Sequence, residues 1–168
     1  YEATFEASTV EAYYCFSASE SVTDTAYTPH ADSYLCWDFN AGEKPMSVVL
    51  VQDIAAEHVV TMEWSTPYTN TEQMAEMIYD WLAAHNHAGT THITGDYAGR
   101  RRESSASFSD YEIIEARLKN LKGYKVKTRP TLKVKDRVAS VNGLLLNANG
   151  DRRLKVNRKC VKTITDLQ

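Results

Sequence analysis

The sequence predicts an α/β domain that contains a mixed sheet of about five strands with helices on both faces. Three β-type runs come first, at about residues 34–40, 46–54 and 57–65. The connections between them are short, which is typical of an antiparallel meander. After the meander, segments with helical periodicity alternate with shorter β-type runs, and this alternation favours an α/β arrangement.

The first predicted helix spans about residues 71–86. Asn70 and Thr71 provide its cap, and apolar residues recur along it at helical spacing. These residues are Met74, Met77, Ile78, Trp81 and Leu82. We therefore expect one face of this helix to pack against the sheet.

The second half of the chain continues the alternation. The predicted elements are a strand at about residues 91–96, a helix at about 109–121, a short strand at 124–127, a helix at about 134–148, a ribbon at about 152–157 and a short helix at about 160–167. Ser109 or Asp110 caps the helix that begins there. Pro130 breaks the chain before the helix at 134–148. The residues of that helix expected to face the core are Val134, Val138, Val141 and Leu145.

Residues 1–33 differ from the rest because they are rich in Ser, Thr, Ala and acidic residues. Their aromatic run, Tyr13-Tyr14-Cys15-Phe16, is a candidate edge strand. We therefore expect a lead-in segment over 1–33 and one globular domain over 34–168. The chain begins at Tyr1 rather than at methionine, which indicates a piece of a longer protein.

Composition indicates a protein of the cytoplasm. No apolar run approaches the roughly 20 residues that span a bilayer, and no signal peptide opens the chain. Cys15, Cys36 and Cys160 form no CxxC pair, so neither a disulfide framework nor a structural zinc site is expected. We expect these cysteines to be small buried hydrophobes.

Charge is divided unevenly along the chain. Residues 1–96 hold one basic residue against fifteen acidic ones, a net charge of −14, and residues 97–168 hold eighteen against seven, a net charge of +11. The basic half favours a polyanionic partner such as nucleic acid. The alternative is that the two halves interleave in space and neutralise each other.

Three aspartates stand in settings that favour metal binding. Asp38 lies in the apolar run Tyr34-Leu35-Cys36-Trp37-Asp38-Phe39, Asp96 ends a β-type run, and Asp136 lies among cations at a helix start. A buried carboxylate is costly unless a cation compensates its charge, and carboxylate oxygens are ligands that Mg²⁺ and Mn²⁺ select. The alternatives are a structural ion pair, turn chemistry and a helix-terminal charge, respectively. Asp53 is a weaker candidate for an auxiliary ligand, because a strand-end acid is more often simply solvated.

These aspartates lie in stretches that resemble the C-terminal nuclease domain of the large terminase subunit of tailed bacteriophages, the DNA-packaging motor protein. Three stretches are similar: Trp37-Asp38-Phe39-Asn40 with Lys44-Pro45-Met46-Ser47-Val48-Val49, then Thr94-Gly95-Asp96-Tyr97-Ala98-Gly99, and then Val134 to Asn142 with Asn149 to Asn157. Together with the Tyr13–Phe16 segment, the similarity extends over most of residues 12–168. The order of predicted elements is likewise that of the ribonuclease H-like fold. Two features depart from the resemblance: no GxxxxGK[ST] motif occurs, so the ATPase is not in this chain, and Tyr97 stands where the family often has a small residue.

The resemblance implies a fold and a mechanism. The first strand would lie beside the fourth, which would bring Asp38 and Asp96 together, and the helix that carries Asp136 would pack across that edge. Two Mg²⁺ or Mn²⁺ ions would then be held by these three acids, with Asp38 bridging, for in-line hydrolysis of a phosphodiester bond. The implied activity is endonucleolytic cleavage of concatemeric double-stranded viral DNA during packaging.

Basic residues near these acids are candidates for DNA contact. Arg100, Arg101 and Arg102 follow the Asp96 loop and are well placed to hold phosphates, and the alternative is a solvated surface loop. Further candidates are Lys133, Lys135 and Arg137 around Asp136, and Lys125, Lys127 and Arg129 near the fifth strand. The resemblance also implies as partners an upstream ATPase domain, the portal protein and the small terminase subunit, in the host cytoplasm and without a membrane. The rival functions are another ribonuclease H-like nuclease, such as a junction resolvase, and a non-catalytic DNA-gripping or capsid-docking module.

Overall fold

The computed structural model of the chain describes residues 12–40, 42–96, 99, 108–121, 124–126 and 133–168. The strands are β1 (Val22–Thr23), β2 (Ser33–Asp38), β3 (Met46–Ile54), β4 (Glu57–Thr66), β5 (Thr91–Gly95), β6 (Lys125–Val126) and β7 (Leu154–Asn157). The helices are α1 (Ala18–Ser21), α2 (Thr71–Ala84), α3 (Asp110–Leu118), α4 (Val134–Leu145) and α5 (Val161–Leu167). Within the described part of the chain, no helix is long and apolar enough to cross a membrane.

The described strands form one mixed sheet in the order β1-β7-β4-β3-β2-β5-β6. The predicted meander is confirmed, because β3 pairs antiparallel with both β2 and β4. The strands that follow a helix, β5 and β6, pair in parallel on the other side of β2. Beyond β4 the sheet is extended by β7 and β1, so it has seven described strands where about five were predicted. The predicted fold class, a ribonuclease H-like mixed sheet with helices, is confirmed.

Helices cover both faces of the sheet, because apolar side chains point alternately to its two sides. On one face, Leu35 and Leu50 pack with Ile78 of α2 and Ile114 of α3 in the larger core cluster. Capping boxes fix the start of each of these helices: Asn70 with Gln73 for α2, and Ser109 with Glu112 for α3. The smaller cluster, on the other face, contains Val60, Val156 and Cys160, with Ile164 and Leu167 of α5 packed against them.

The candidate edge strand in the lead-in segment was misplaced. Residues 12–15 form a turn, in which the Phe16 N–H donates to the Tyr13 carbonyl (2.9 Å), and the edge strand is β1 at Val22–Thr23. The turn replaces a strand because side chains of Asn142 and Arg152 bind its backbone at Ala12 and Cys15. The sheet therefore begins inside the segment predicted as a lead-in.

The predicted core face of α4 is only partly confirmed. Leu145 is fully buried, but Val134 is 66% exposed. The buried residues of α4 are Asn142 and Leu145, both near its C-terminal end. Because the helix meets the rest of the fold chiefly through β7 at that end, its first turns extend into solvent.

Candidate active site

Asp38 and Asp96 end neighbouring strands of the sheet. The parallel pairing of β2 with β5 runs from Ser33 opposite Thr91 to Trp37 opposite Gly95, and each aspartate follows the last pair. Neighbouring strands lie about 4.8 Å apart, and residues in register point to the same face. The two aspartates therefore lie at adjoining strand ends on one edge of the sheet. The expectation that the first strand of the meander lies beside the fourth predicted strand is confirmed.

Two glycines allow the chain to pack closely around this pair. A Cβ atom on Gly95 would lie 2.6 Å from the carbonyl oxygen of Trp37, and a Cβ atom on Gly99 would lie 2.5 Å from the ring of Phe39. Such contacts are closer than any side chain tolerates, so both positions need glycine. Gly99 is thereby held against the ring of Phe39, the residue that follows Asp38.

Aromatic side chains support both aspartates from the core side. The ring of Phe39 stacks on Trp37 with centroids 5.9 Å apart and meets Tyr111 of α3 edge-on at 5.3 Å. The Tyr111 hydroxyl donates to the backbone carbonyl of Asp96 (3.3 Å). Sequence reasoning missed the role of Tyr111, since nothing in the sequence near residue 111 connects it with Asp96. Gly95 did carry a signal, because a glycine inside a strand marks a close backbone approach.

The expectation that Asp38 is a buried carboxylate is wrong. Asp38 is exposed, as are Asp96 and Asp136. The reason is that β2 ends at Asp38, so its side chain extends past the packed part of the sheet. It accepts a hydrogen bond from the side-chain amide of Asn40 (2.9 Å). An exposed pair of carboxylates is open to solvent, to cations and to large substrates.

Asp136 lies in the first turn of α4. Its backbone N–H donates to the Lys133 carbonyl (2.9 Å), and its own carbonyl accepts from the Ser140 hydroxyl (2.8 Å). Among the described residues, no three His, Cys, Asp or Glu side chains lie close enough together to hold a metal ion. The structure thus places Asp38 and Asp96 at adjoining strand ends, and the described residues do not gather the three predicted acids into one metal-binding group.

Asp53, the candidate auxiliary ligand, is excluded by its position in the sheet. Asp53 is at the opposite end of the sheet, because β3 runs antiparallel to β2. There its carboxylate contacts Nδ1 of His58 at 2.6 Å. Asp53 is therefore not an auxiliary ligand of the Asp38–Asp96 pair.

The two oppositely charged halves of the chain interleave in part. Four cations of the basic half form ion pairs with acids of the acidic half, and these pairs are Arg117 with Glu76, Arg152 with Glu20, Lys155 with Glu57 and Arg158 with Asp24. Within the described residues, Lys133, Lys135 and Arg137 are exposed around Asp136 and form no ion pair. Lys125 of β6, another predicted DNA contact, is also exposed. The remaining predicted contacts, Arg100, Arg101, Arg102, Lys127 and Arg129, lie outside the described residues.

Comparison with solved structures places this arrangement in a known architecture. The nuclease domain of the P22 large terminase matches with a TM-score of 0.66 and 11% identity, over 94% of this chain and 77% of that one. The large terminase of the thermophilic bacteriophage D6E in complex with ADP also matches with a TM-score of 0.66, at 16% identity, over 94% of this chain. The chain has the fold of large terminase nuclease domains.

One similar solved structure contains a bound metal ion, and the similarity to these structures is limited in sequence identity and in the length covered. The large terminase nuclease from the thermophilic phage G20c with bound magnesium matches with a TM-score of 0.50 and 10% identity, over 81% of this chain and 63% of that one. The chain spans 36% of the length of the D6E terminase. No protein-family model and no curated protein sequence matches the chain.

Proposed function

We propose that this chain is a metal-dependent endonuclease that cuts concatemeric double-stranded viral DNA during packaging. The observation that carries the proposal is the pair of exposed carboxylates, Asp38 and Asp96, at adjoining strand ends in a chain with a terminase nuclease fold. Asp136 is proposed as the third acid of the site, reached when α4 and the sheet end come together around the substrate.

The donor chemistry of the pair fits a hard divalent cation. Mg²⁺ is usually bound through one or two carboxylates, with water and substrate phosphate oxygens completing its octahedral shell. Asp38 and Asp96 offer that number of carboxylates, and the G20c nuclease holds magnesium on a similar fold. We propose that Asp38, Asp96 and Asp136 would together hold two Mg²⁺ or Mn²⁺ ions.

The residues of the chain would orient the substrate and its attacking water. Bound metal would supply an activated water and stabilisation of the leaving 3′ oxygen, so no protein nucleophile is required. Asp38 and Asp96 hold fixed places because Gly95, Phe39 and Tyr111 pack behind them. The cations of the first turn of α4, Lys133, Lys135 and Arg137, would hold backbone phosphates beside the scissile bond. Arg100, Arg101 and Arg102 are proposed to act likewise from the loop after Asp96.

These contacts would favour duplex DNA of any sequence. Lys and Arg that reach phosphates bind through charge and carry no base information. The chain would then work next to an upstream ATPase domain of the same polypeptide, with the portal protein and the small terminase subunit as further partners in the host cytoplasm. The D6E terminase, of which this chain spans 36%, is known in complex with ADP, which supports an ATP-driven context.

Substitution of each acid tests the proposal. Asp38→Asn, Asp96→Asn and Asp136→Asn should each abolish cleavage of plasmid DNA while the circular-dichroism spectrum stays that of the wild type. Asp53→Asn is the matched control, because Asp53 is an exposed strand-end acid on the far end of the same sheet. An Asp38→Asn or Asp96→Asn variant that cuts as well as the wild type would remove the pair from the site.

A second candidate follows from the position of Asp136. Because the structure does not gather the three acids, a DNA-gripping module without its own cleavage is the alternative. Binding of duplex DNA by a well-folded protein that shows no metal-dependent cutting would support that alternative.

A further inference from the structure

Helix α4 is anchored to the rest of the fold at one end. Its buried residues are Asn142 and Leu145, whereas Lys133, Val134 and Asp136 at its start are exposed. Val134 is 66% exposed, so the first turn has no apolar anchor of its own. The direction in which α4 points is therefore set by what holds its C-terminal half.

A polar side chain provides half of that anchor. Asn142 is only 3% exposed, and its amide binds the N-terminal turn twice. Its Oδ1 accepts from the Cys15 N–H (3.2 Å), and its Nδ2 donates to the Ala12 carbonyl (2.9 Å). A buried amide with both ends bonded is directional, so it specifies how α4 lies against this turn.

An arginine binds the same turn to the end of α4. Nη1 of Arg152 donates to the Cys15 carbonyl (2.9 Å) and to the Leu145 carbonyl (3.1 Å). Nε of Arg152 lies 2.6 Å from the carboxylate of Glu20, and the Arg152 side chain is 19% exposed. We call Asn142, Arg152 and the backbone of residues 12–15 the α4 clamp.

A change in the tilt of α4 at the clamp would displace Asp136 at the other end of the helix. Asp136 precedes Asn142 by six positions, which is about 9 Å along a helix axis at 1.5 Å per residue. A change of about 10° in the tilt of α4 about Asn142 would therefore move Asp136 by on the order of 1.5 Å. A misplacement of about 1 Å at a reacting centre can reduce a rate by about 100-fold.

We propose that Asn142 and Arg152 are positioning residues through which the N-terminal segment sets the place of Asp136 relative to the Asp38–Asp96 pair. The inference rests on the proposed function, in which Asp136 is the third acid. It adds that the lead-in segment is part of the machinery of the site, because residues 12–20 hold the helix that carries this acid. Rearrangement of this segment would alter cleavage without any change at the carboxylates.

The test compares variants of the clamp with a matched arginine outside it. Asn142→Ala removes both hydrogen bonds of the side-chain amide. Arg152→Lys keeps the positive charge near Glu20 but loses the guanidinium hydrogen bonds to the carbonyls of Cys15 and Leu145. Arg158→Lys is the control, because Arg158 also pairs with an acid of the N-terminal segment, Asp24, and has no contact with α4 in the described structure. The readouts are kcat and KM for plasmid DNA, the Mn²⁺ dissociation constant by calorimetry without DNA, and the melting temperature.

We expect kcat to fall by about 10- to 100-fold in Asn142→Ala and Arg152→Lys, with the KM for DNA unchanged and Mn²⁺ bound several-fold more weakly. Arg158→Lys should behave as the wild type. The decisive comparison is a double-mutant cycle: in an Asp136→Asn background, Asn142→Ala should cause no further loss of Mn²⁺ affinity, because the clamp acts through Asp136.

Three outcomes would overturn the inference. Clamp variants that cut and bind Mn²⁺ as the wild type does would show that α4 keeps its place without the clamp. If Asn142→Ala loses the same Mn²⁺ affinity with Asp136 present as in the Asp136→Asn background, Asn142 has a general structural role. The same conclusion follows if the activity of the clamp variants falls only in proportion to the fraction of protein unfolded at the assay temperature. A wild-type chain that neither cuts DNA nor binds Mn²⁺ would instead refute the proposed function, which separates the two failures.

Discussion

Neutralising one member of the carboxylate pair should stabilise the protein when no metal is present. Asp38 and Asp96 follow the last registered pair of two parallel strands. Such strands are spaced about 4.8 Å apart, so we take about 5 Å as the scale of the charge separation. At that distance two unit charges repel by about 0.8 kcal/mol in a medium like water and by about 3 kcal/mol at an effective dielectric constant near 20. Both groups are exposed, which favours the lower end, about 1 kcal/mol.

The expected shift is measurable by thermal unfolding in EDTA. For a domain of this size, about 1 kcal/mol corresponds to a rise of roughly 2–4 °C in the melting temperature of Asp38→Asn. Asparagine keeps the shape of the side chain, so packing against the neighbouring loop is little changed. Addition of Mn²⁺ should reverse the order, because only the wild type gains the binding free energy, about 2.7 kcal/mol at a metal concentration near 100 times the dissociation constant.

Asp53→Asn provides the matched control for this shift. The Asp53 carboxylate lies 2.6 Å from Nδ1 of His58, so its neutralisation removes an attraction rather than a repulsion. Its melting temperature in EDTA should stay the same or fall. An Asp38→Asn variant that melts at or below the wild-type temperature in EDTA, or that is stabilised by Mn²⁺ as strongly as the wild type, would refute the reasoning.

Three further predictions address the scaffold and the DNA contacts. Gly95→Ala should lower the melting temperature by several degrees and reduce Mn²⁺ affinity, because the new methyl group would lie 2.6 Å from the Trp37 carbonyl oxygen. Thermal unfolding and calorimetry with Mn²⁺ at a permissive temperature measure the two effects. A variant with the wild-type melting temperature and Mn²⁺ affinity would contradict the prediction. Simultaneous replacement by alanine of three exposed cations should weaken binding to unrelated duplexes and flatten the slope of log affinity against log salt by about 2.7. These cations are Lys133, Lys135 and Arg137. Burial lowers the pKa of His87 in the folded protein, so the folded state favours the neutral imidazole. The resulting contribution to the free energy of unfolding is fully present above the unfolded-state pKa of about 6.5. It is lost as the pH falls through the lower folded-state pKa. The melting temperature should therefore fall less in His87→Gln than in the wild type between about pH 7.5 and pH 5.5, and parallel curves would show that His87 does not contribute.

The sequence was sufficient to predict the order and approximate bounds of the elements, because local signals mark them. Asn70 and Ser109 begin helices as their capping chemistry predicts. The adjacency of Asp38 and Asp96 followed from the resemblance in their stretches, and strand pairing confirms it. Their exposure was not foreseen, since an apolar run does not show at which residue the strand leaves the core.

Long-range polar contacts explain what the sequence did not show. Tyr13–Phe16 has the composition of a strand, but the backbone there is bound by Asn142 and Arg152, more than 100 positions away in the chain. The orientation of α4 likewise depends on that contact, so the place of Asp136 could not be deduced from its helical cap position. Charge complementarity between the halves was foreseen only as an alternative, and the ion pairs of Arg117 and Arg158 show that it contributes.

We propose that Asp38 and Asp96 serve metal-dependent cleavage of DNA. This proposal is tested most directly by incubating the purified chain with supercoiled plasmid in Mg²⁺, in Mn²⁺ and in excess EDTA, with Asp38→Asn and Asp53→Asn in parallel. The wild type and Asp53→Asn should give nicked and linear products in either metal. Neither EDTA nor Asp38→Asn should give any product. Cutting that persists in excess EDTA, or equal cutting by Asp38→Asn, would contradict the proposal.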